Sequence, residues 1–232
     1  MSLVHACRIL ALVLLGFGVA GASAAEPGDP IRADALDEAR LARAIFEETN
    51  RVRAQLGLKP FGAEPKLDDA AGTQARLGSV FRPPSHTNPF PLIATPLDRV
   101  KFAGLDPEYV AENIARIPLY DLPRGTGVYH LKNDPTLRET STGRPARVHT
   151  YESFARAVVE AWMNSPGHRE NIVSTKLRFL GCAVKASRSQ DDIDMIFAVQ
   201  AFYTPKAKRA AASPLPDSVP ARRVPGTALR RI

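Results

Sequence analysis

The sequence is poor in cysteine. Of its 232 residues only two are cysteine, Cys7 and Cys182. Cys7 lies in a segment expected to be removed, so an internal disulfide is excluded and stability must come from packing. The neighbours of Cys182 are apolar or small, which favours a buried small hydrophobe over a reactive nucleophile.

Several catalytic motifs are also missing. The chain has no Gly-x-Ser-x-Gly turn, no phosphate-cradling glycine loop and no His-Glu-x-x-His pair. Their absence removes the commonest hydrolase and nucleotide-binding classes. No internal repeat is present either, and no second long apolar run follows the first, so the mature protein is expected to lack a transmembrane segment.

The one long apolar run lies at the N-terminus. Arg8 precedes an unbroken apolar stretch, residues 9–20, and small residues follow up to Ala25. This pattern predicts a signal peptide over residues 1–25, cleaved near Ala24 or Ala25, and a secreted or periplasmic protein. A membrane anchor is the alternative, but the run is shorter than the roughly 20 residues that span a bilayer.

The formal charge of +7 is unevenly distributed. Residues 205–232 carry seven basic side chains against Asp217 alone, which is +6, and Arg8 contributes the remaining charge. The body, residues 26–204, is therefore neutral and has no electrostatic footprint for nucleic acid. The basic tail is predicted to be disordered, with weak binding to anionic surfaces.

Helical patterns dominate the first half of the body. Asp34 is expected to cap a first helix whose apolar face contains Leu41, Ile45, Val52 and Leu56. Further helices are predicted over residues 67–80 and 97–103. The first of these ends at a Pro-Pro pair, and residues 111–115 are interpreted as an extended segment or a helix exit.

Residues 116–149 differ in composition and show no sustained period, which predicts a long loop or insertion. A helix capped by Thr150 follows, with Phe154, Val158, Ala161 and Trp162 on its buried face. The runs 179–185 and 194–203 are predicted to form an antiparallel strand pair. This order indicates an α+β domain in which helices pack on a small antiparallel sheet, within residues 34–204.

Three polar residues stand out as candidate site residues. Ser165 and Pro166 are typical of a helix start, which places His168 in a first turn where the helix dipole favours a neutral imidazole. His86 follows the Pro-Pro pair in a loop, and Glu112 lies in an apolar stretch where a carboxylate needs a partner. A histidine that only hydrogen-bonds within the fold is the alternative for His168. His130 and His149 are expected to be solvated.

Several segments, in order, resemble CAP domains, the cysteine-rich secretory, antigen 5 and pathogenesis-related-1 proteins, in their bacterial SCP-like branch. The resemblance rests on five segments: Phe-Glu-Glu-Thr-Asn-Arg-Val-Arg from residue 46, Ser-His-Thr at 85–87, Glu-Asn-Ile-Ala at 112–115, Ala-Trp-Met-Asn-Ser-Pro-Gly-His-Arg-Glu-Asn-Ile at 161–172, and Gly-Cys-Ala at 181–183. The tryptophan-to-histidine segment is the most specific of them.

The resemblance implies an α-β-α sandwich with a surface cleft, in which two histidines and two acids form a tetrad that binds zinc or another divalent cation in some members. His86, Glu112 and His168 match three tetrad positions, and Asp98 is the nearest substitute for the second acid. Two imidazoles and a carboxylate with an open position are an established zinc arrangement. Residues 116–149 exceed the usual spacing and are expected to rim or cover the cleft.

Three functions remain open at this point. The first is a non-enzymatic extracytoplasmic module that binds a small or lipid-like ligand or a cell-envelope component, with or without a metal ion. The second is a divalent-metal-dependent hydrolase in which Glu112 is the candidate catalytic residue, as ligand or general base. The third is a structural or interaction domain whose polar trio hydrogen-bonds internally.

Overall fold

The computed structural model describes residues 28–123, 125–189 and 193–207. The predicted signal peptide and residues 208–232 of the predicted tail lie outside the described residues. Within them, five helices and six strands follow one another along the chain. The helices are α1 (Glu38–Gln55), α2 (Pro65–Val80), α3 (Pro96–Phe102), α4 (Tyr151–Met163) and α5 (Pro166–Val173). The strands are β1 (Gly62–Ala63), β2 (Pro107–Pro118), β3 (Val128–Leu131), β4 (Asp134–Glu139), β5 (Phe179–Arg188) and β6 (Asp194–Pro205).

Four strands form the central sheet, in the order β1-β5-β6-β2. The predicted pair β5 and β6 is antiparallel, and β2 pairs antiparallel with β6 on its other side. The prediction of an extended segment at residues 111–115 is confirmed, because these residues lie in the middle of β2. Only the two-residue strand β1 joins in parallel. β3 and β4 form a separate hairpin.

Helices cover both faces of this sheet, which makes the domain an α-β-α sandwich as predicted. Side chains of β6 alternate between two core clusters because successive residues of a strand point to opposite faces. Ile196, Ala198 and Phe202 pack with α1 and α4, whereas Phe197 and Val199 pack with α2 and α3. No helix in the described part of the chain has the length and apolar character needed to cross a membrane.

The helix ends agree with the sequence in most places. Thr150 caps α4 in a reciprocal box with Ser153, and Ser165 and Pro166 begin α5. The cap predicted for α1 is wrong: Asp34 lies in a short 3-10 segment, and Asp37 caps the helix by accepting from the backbone N–H of Arg40 at 2.9 Å. Either aspartate is a suitable N-cap residue, so the residue type does not decide between them. The path of the chain before α1 decides which one caps the helix.

Two of the predicted core positions are wrong. Leu56 is exposed because α1 ends at Gln55 and its buried row continues through Thr49 and Arg53 instead. Ala161 is exposed on α4, whereas Trp162, Phe154 and Val158 are buried as predicted. Cys182 is buried as well, and burial raises the pKa of its thiol well above its ordinary value.

The interpretation of residues 116–149 as a long loop is also wrong. The first three of these residues complete β2, the β3–β4 hairpin lies in the middle, and Leu119, Leu137 and Ala146 are buried. Short strands separated by turns show no long period, which is why the composition suggested a loop.

The two histidines of this segment differ in their exposure to solvent. His130 is exposed as predicted, but His149 is only 6% exposed. Its Nδ1 is 2.9 Å from the Ser153 hydroxyl, and its backbone carbonyl accepts from the N–H of Ile31 at 2.8 Å. Because burial disfavours the imidazolium, the pKa of His149 lies below its ordinary value.

Candidate functional site

Glu112 forms the centre of the candidate site. It lies on β2, and its side chain is almost completely buried. One carboxylate oxygen is 2.8 Å from Nδ1 of His86, and the other accepts from Nη2 of Arg99 at 2.7 Å. Both carboxylate oxygens therefore have a partner within the protein.

His86 reaches Glu112 from the loop that follows α2, and half of its side chain is exposed. A carboxylate cannot donate a proton when ionised, so the contact with Glu112 favours the tautomer that carries the proton on Nδ1. The other ring nitrogen, Nε2, is then left with its lone pair. His86 thus presents a lone pair on the exposed side of its ring.

Arg99 is the residue of this site that the sequence did not predict. It lies on α3, and its side chain is buried. Besides Glu112 it donates to the backbone carbonyls of His86, Ile93 and Ala94, at 3.0 to 3.2 Å. It therefore positions the carboxylate and the loop that carries His86. In the sequence, Arg99 stands beside Val100 in an amphipathic turn. That pattern is equally typical of a solvated arginine, so it did not identify Arg99 as a site residue.

His168 occupies the first turn of α5, as predicted. The pKa of its imidazole is lowered mainly by burial, and to a lesser extent by the neighbouring charge of His86. Both effects favour the neutral form of the His168 ring. Among the described residues, no hydrogen bond joins the His168 ring to Glu112.

A buried chain of amides holds α5 in place. The side chain of Asn113 donates to the carbonyl of His168 at 3.1 Å and to the amide oxygen of Gln200 at 2.9 Å. Gln200 in turn donates to the hydroxyl of Thr49 on α1 at 2.7 Å, and Asn171 donates to Asn113 at 2.8 Å. The chain connects α1 to the backbone of His168 through the centre of the sheet. Asn113 and Asn171 stood in the motifs of the sequence, but nothing there indicated their partners.

The carboxylate of Asp98 is bonded to Thr95. Its carboxylate accepts from the backbone N–H and the hydroxyl of Thr95, at 3.0 and 2.6 Å, and so completes the capping box of α3. These hydrogen bonds lower the pKa of Asp98. Its described hydrogen bonds all serve the helix start, and none of them joins it to His86, Glu112 or His168.

The donor set for a metal ion is smaller than the sequence suggested. Within residues 28–123, 125–189 and 193–207, no group of three or more His, Cys, Asp or Glu side chains has the arrangement of a metal site. Each oxygen of Glu112 already has a side-chain partner, and the guanidinium beside it supplies a positive charge. The remaining donors are the two imidazoles of His86 and His168. With Glu112 behind it, His86 has the carboxylate partner that metal-binding histidines usually have.

The fold and the His-Glu pair together define a CAP-type domain. The family model for the cysteine-rich secretory protein family, CAP, matches residues 46–202. The chain therefore belongs to the CAP family. A comparison with the curated proteins found no match.

Solved structures with a similar fold come from several bacteria. An extracellular protein with an SCP domain from Bacillus anthracis is 19% identical, with a TM-score of 0.46, over 75% of this chain and 44% of that one. An outer surface protein from Borrelia burgdorferi is 19% identical, with a TM-score of 0.48, over 77% and 99%. A cysteine-rich secretory protein from Staphylococcus aureus is 14% identical, with a TM-score of 0.41, over 72% and 39%. The chain spans less than half of the Bacillus and Staphylococcus proteins.

Proposed function

We propose that this chain is an exported, non-enzymatic binding module whose ligand site is the surface formed by His86 and His168. The burial and pairing of the Glu112 carboxylate carry the proposal. A general base must lie within reach of the proton that it abstracts, whereas the Glu112 side chain is almost completely buried and its two oxygens face His86 and Arg99. The same observation argues against the alternative, a metal-dependent hydrolase in which Glu112 takes up a proton.

In this function the two imidazoles contact the ligand. They are also the residues that would hold a zinc or other divalent ion, which would offer open coordination positions to a small or lipid-like ligand. Glu112 and Arg99 then act behind His86: the carboxylate orients the ring through Nδ1, and the guanidinium holds the carboxylate. A neutral His168, favoured by its lowered pKa, is the protonation state that such a site requires.

Calorimetric zinc titration tests the ligand set. The wild-type chain is compared with a His86→Ala, His168→Ala variant, and His130→Ala serves as a control because that histidine is exposed on β3. We expect zinc binding to be lost in the double variant and unchanged in the control. The Glu112→Gln variant should bind about 10- to 100-fold more weakly, as expected for a group behind a ligand. Equal binding by wild type and double variant would refute the metal proposal.

Turnover distinguishes the binding module from the hydrolase. The zinc-loaded chain is incubated with peptide and ester libraries, beside the Glu112→Gln variant. We expect no turnover by either protein. Turnover by the wild type that disappears in Glu112→Gln would replace the binding module with the hydrolase. If neither zinc binding nor turnover is found, the remaining function is an interaction domain whose polar trio hydrogen-bonds internally.

Export is part of the same proposal, and residues 1–25 support it. Their apolar run and small residues are those of a signal peptide. N-terminal sequencing of the protein recovered from outside the cytoplasm should begin near Ala25 or Glu26. A protein that retains residues 1–25 in the membrane fraction would contradict cleavage and favour an anchor.

A further inference from the structure

An apolar surface is exposed at the end of α2 and in the loop that follows it. Val80, Phe81, Phe90 and Leu92 are 73%, 44%, 47% and 75% exposed, and they lie within thirteen residues of one another. The rings of Phe81 and Phe90 are 6.4 Å apart and bring the two ends of the segment together. Single exposed apolar side chains are ordinary, whereas a group of this kind marks an interaction site. We refer to residues 80–92 as the 80–92 loop surface.

Hydrogen bonds hold the backbone of this loop in place. The side chain of Asn88 donates to the carbonyl of Ile93 at 2.7 Å and accepts from the N–H of Phe90 at 2.9 Å. Gln74 donates to the carbonyl of Ser85 at 2.7 Å, and Arg99 bonds the carbonyl of His86. The loop is thus anchored at several points while its apolar side chains remain outside, so their exposure is a property of the folded loop.

Along the chain, the charged residues of this segment have one sign. No acidic residue lies between Asp69 and Asp98, and the charged residues of that interval are Arg76 and Arg82. Arg116 also approaches, with its guanidinium bonded to the backbone carbonyls of Gly78 and Phe81. Apolar side chains flanked by arginines complement the interface of a bilayer that contains anionic lipids.

We propose that the 80–92 loop surface docks this protein peripherally on phospholipid bilayers that carry anionic lipids. Phe90 and Leu92 enter the boundary between headgroups and acyl chains, and Arg82 faces the phosphates. Among Asp, Glu, Lys and Arg, residues 80–92 contain Arg82 alone, a charge that complements anionic lipids and would repel the same residue of a second copy. The surface is separate from the basic tail. Because His86 belongs to the same loop, docking brings the candidate site to the membrane surface.

Vesicle sedimentation tests this proposal. The chain begins at Glu26, because residues 9–20 would bind vesicles by themselves, and it retains every residue that the structure describes. Phosphatidylcholine vesicles with and without phosphatidylserine are the probes. We expect the wild type to sediment with phosphatidylserine vesicles, and the Phe90→Ser, Leu92→Ser variant to bind at least about tenfold more weakly. Leu131→Ser, a change at a leucine of β3 that is as exposed as Phe90, should leave binding unchanged.

A second variant, Arg82→Glu, separates the electrostatic contribution. It should weaken binding to phosphatidylserine vesicles, while part of the wild-type binding persists in high salt because apolar insertion is not screened. Unchanged unfolding midpoints would show that the variants are folded, as expected for exposed side chains.

Three results would overturn the proposal. The first is that the wild type does not bind vesicles, or binds as the Phe90→Ser, Leu92→Ser variant does. The second is that deletion of residues 208–232 alone abolishes binding, which would assign it to the tail. The third is self-association of the wild type that the same variant removes, which would make the surface an interface between copies. Zinc titration is independent, since the variant keeps both site histidines, so failure here leaves the proposed function unaffected.

Discussion

Arg99 and Glu112 form an ion pair inside the protein, with 2.7 Å between Nη2 and Oε2 and with both side chains almost fully buried. The pair connects α3 to β2 directly beside the candidate site. A buried carboxylate requires compensation, and Arg99 provides it through a charge that does not depend on pH in the ordinary range. The pair therefore contributes both to the stability of the fold and to the position of His86.

Replacement of Arg99 by methionine should be strongly destabilising. The variant leaves Glu112 buried without its cation, which costs about 3–5 kcal/mol of unfolding free energy. Denaturant unfolding measures the change. Arg156→Met removes the exposed i,i+4 pair with Glu152 and should cost less than about 1 kcal/mol. Similar losses in the two variants would mean that the buried pair is no more important than a surface pair.

The contact between Thr49 and Gln200 should be measurable by a double-mutant cycle. Thr49→Val leaves the amide of Gln200 without its acceptor and should cost about 1–3 kcal/mol. Combined with Gln200→Met, it should show a coupling energy of about 0.5–3 kcal/mol in denaturant unfolding. Thr73→Val is the matched control, because Thr73 also bonds the carbonyl four residues earlier but is only partly buried. Additive losses would show that the amide chain does not act as a unit.

His149 should make the fold sensitive to acid. Its pKa in the folded protein lies below 6.5, chiefly because it is buried. As pH falls below that value the unfolded chain takes up a proton that the folded chain does not, so stability is complete above it and declines toward the folded pKa. Unfolding free energies between neutral and mildly acid pH measure this slope.

The His149→Asn variant should have a smaller slope than the wild type. Asparagine does not titrate, and its amide can replace the hydrogen bond of Nδ1 to Ser153. His130→Asn, at an exposed position, should keep the wild-type slope. The same slope in wild type and His149→Asn would assign the acid sensitivity to other groups.

Gly181 should not tolerate a side chain. A Cβ there would lie 2.4 Å from the backbone carbon of Leu67, where α2 crosses β5, and backbone cannot move aside cheaply. Gly181→Ala should cost about 1–3 kcal/mol or more in denaturant unfolding. Gly72→Ala, whose Cβ would meet only the Arg76 side chain at 3.5 Å, should be neutral or stabilising because alanine favours the helix. Equal tolerance of both changes would indicate that α2 is not held at this distance.

Much of the fold follows from local patterns. The buried strand β6, the cap of α4 at Thr150 and the start of α5 at Pro166 depend on neighbours in the chain, and these predictions are confirmed. The structure of residues 116–149 was harder to predict, because short strands and turns show no sustained hydrophobic period. The backbone of His149 is bonded to that of Ile31 and Leu119, which are both distant in sequence. No local pattern therefore indicated that His149 is buried.

The sequence by itself determined the family, the α+β class and the positions of His86, Glu112 and His168 on their elements, because motif spacing, caps and period-two alternation are local properties. Only the tertiary structure decided what Glu112 does. Its partners, His86 and Arg99, stand 26 and 13 residues before it and meet it only when α3 and the preceding loop fold against β2. Side-chain pairing across such distances depends on three-dimensional packing, so the sequence alone could not place the Glu112 carboxylate between a histidine and an arginine.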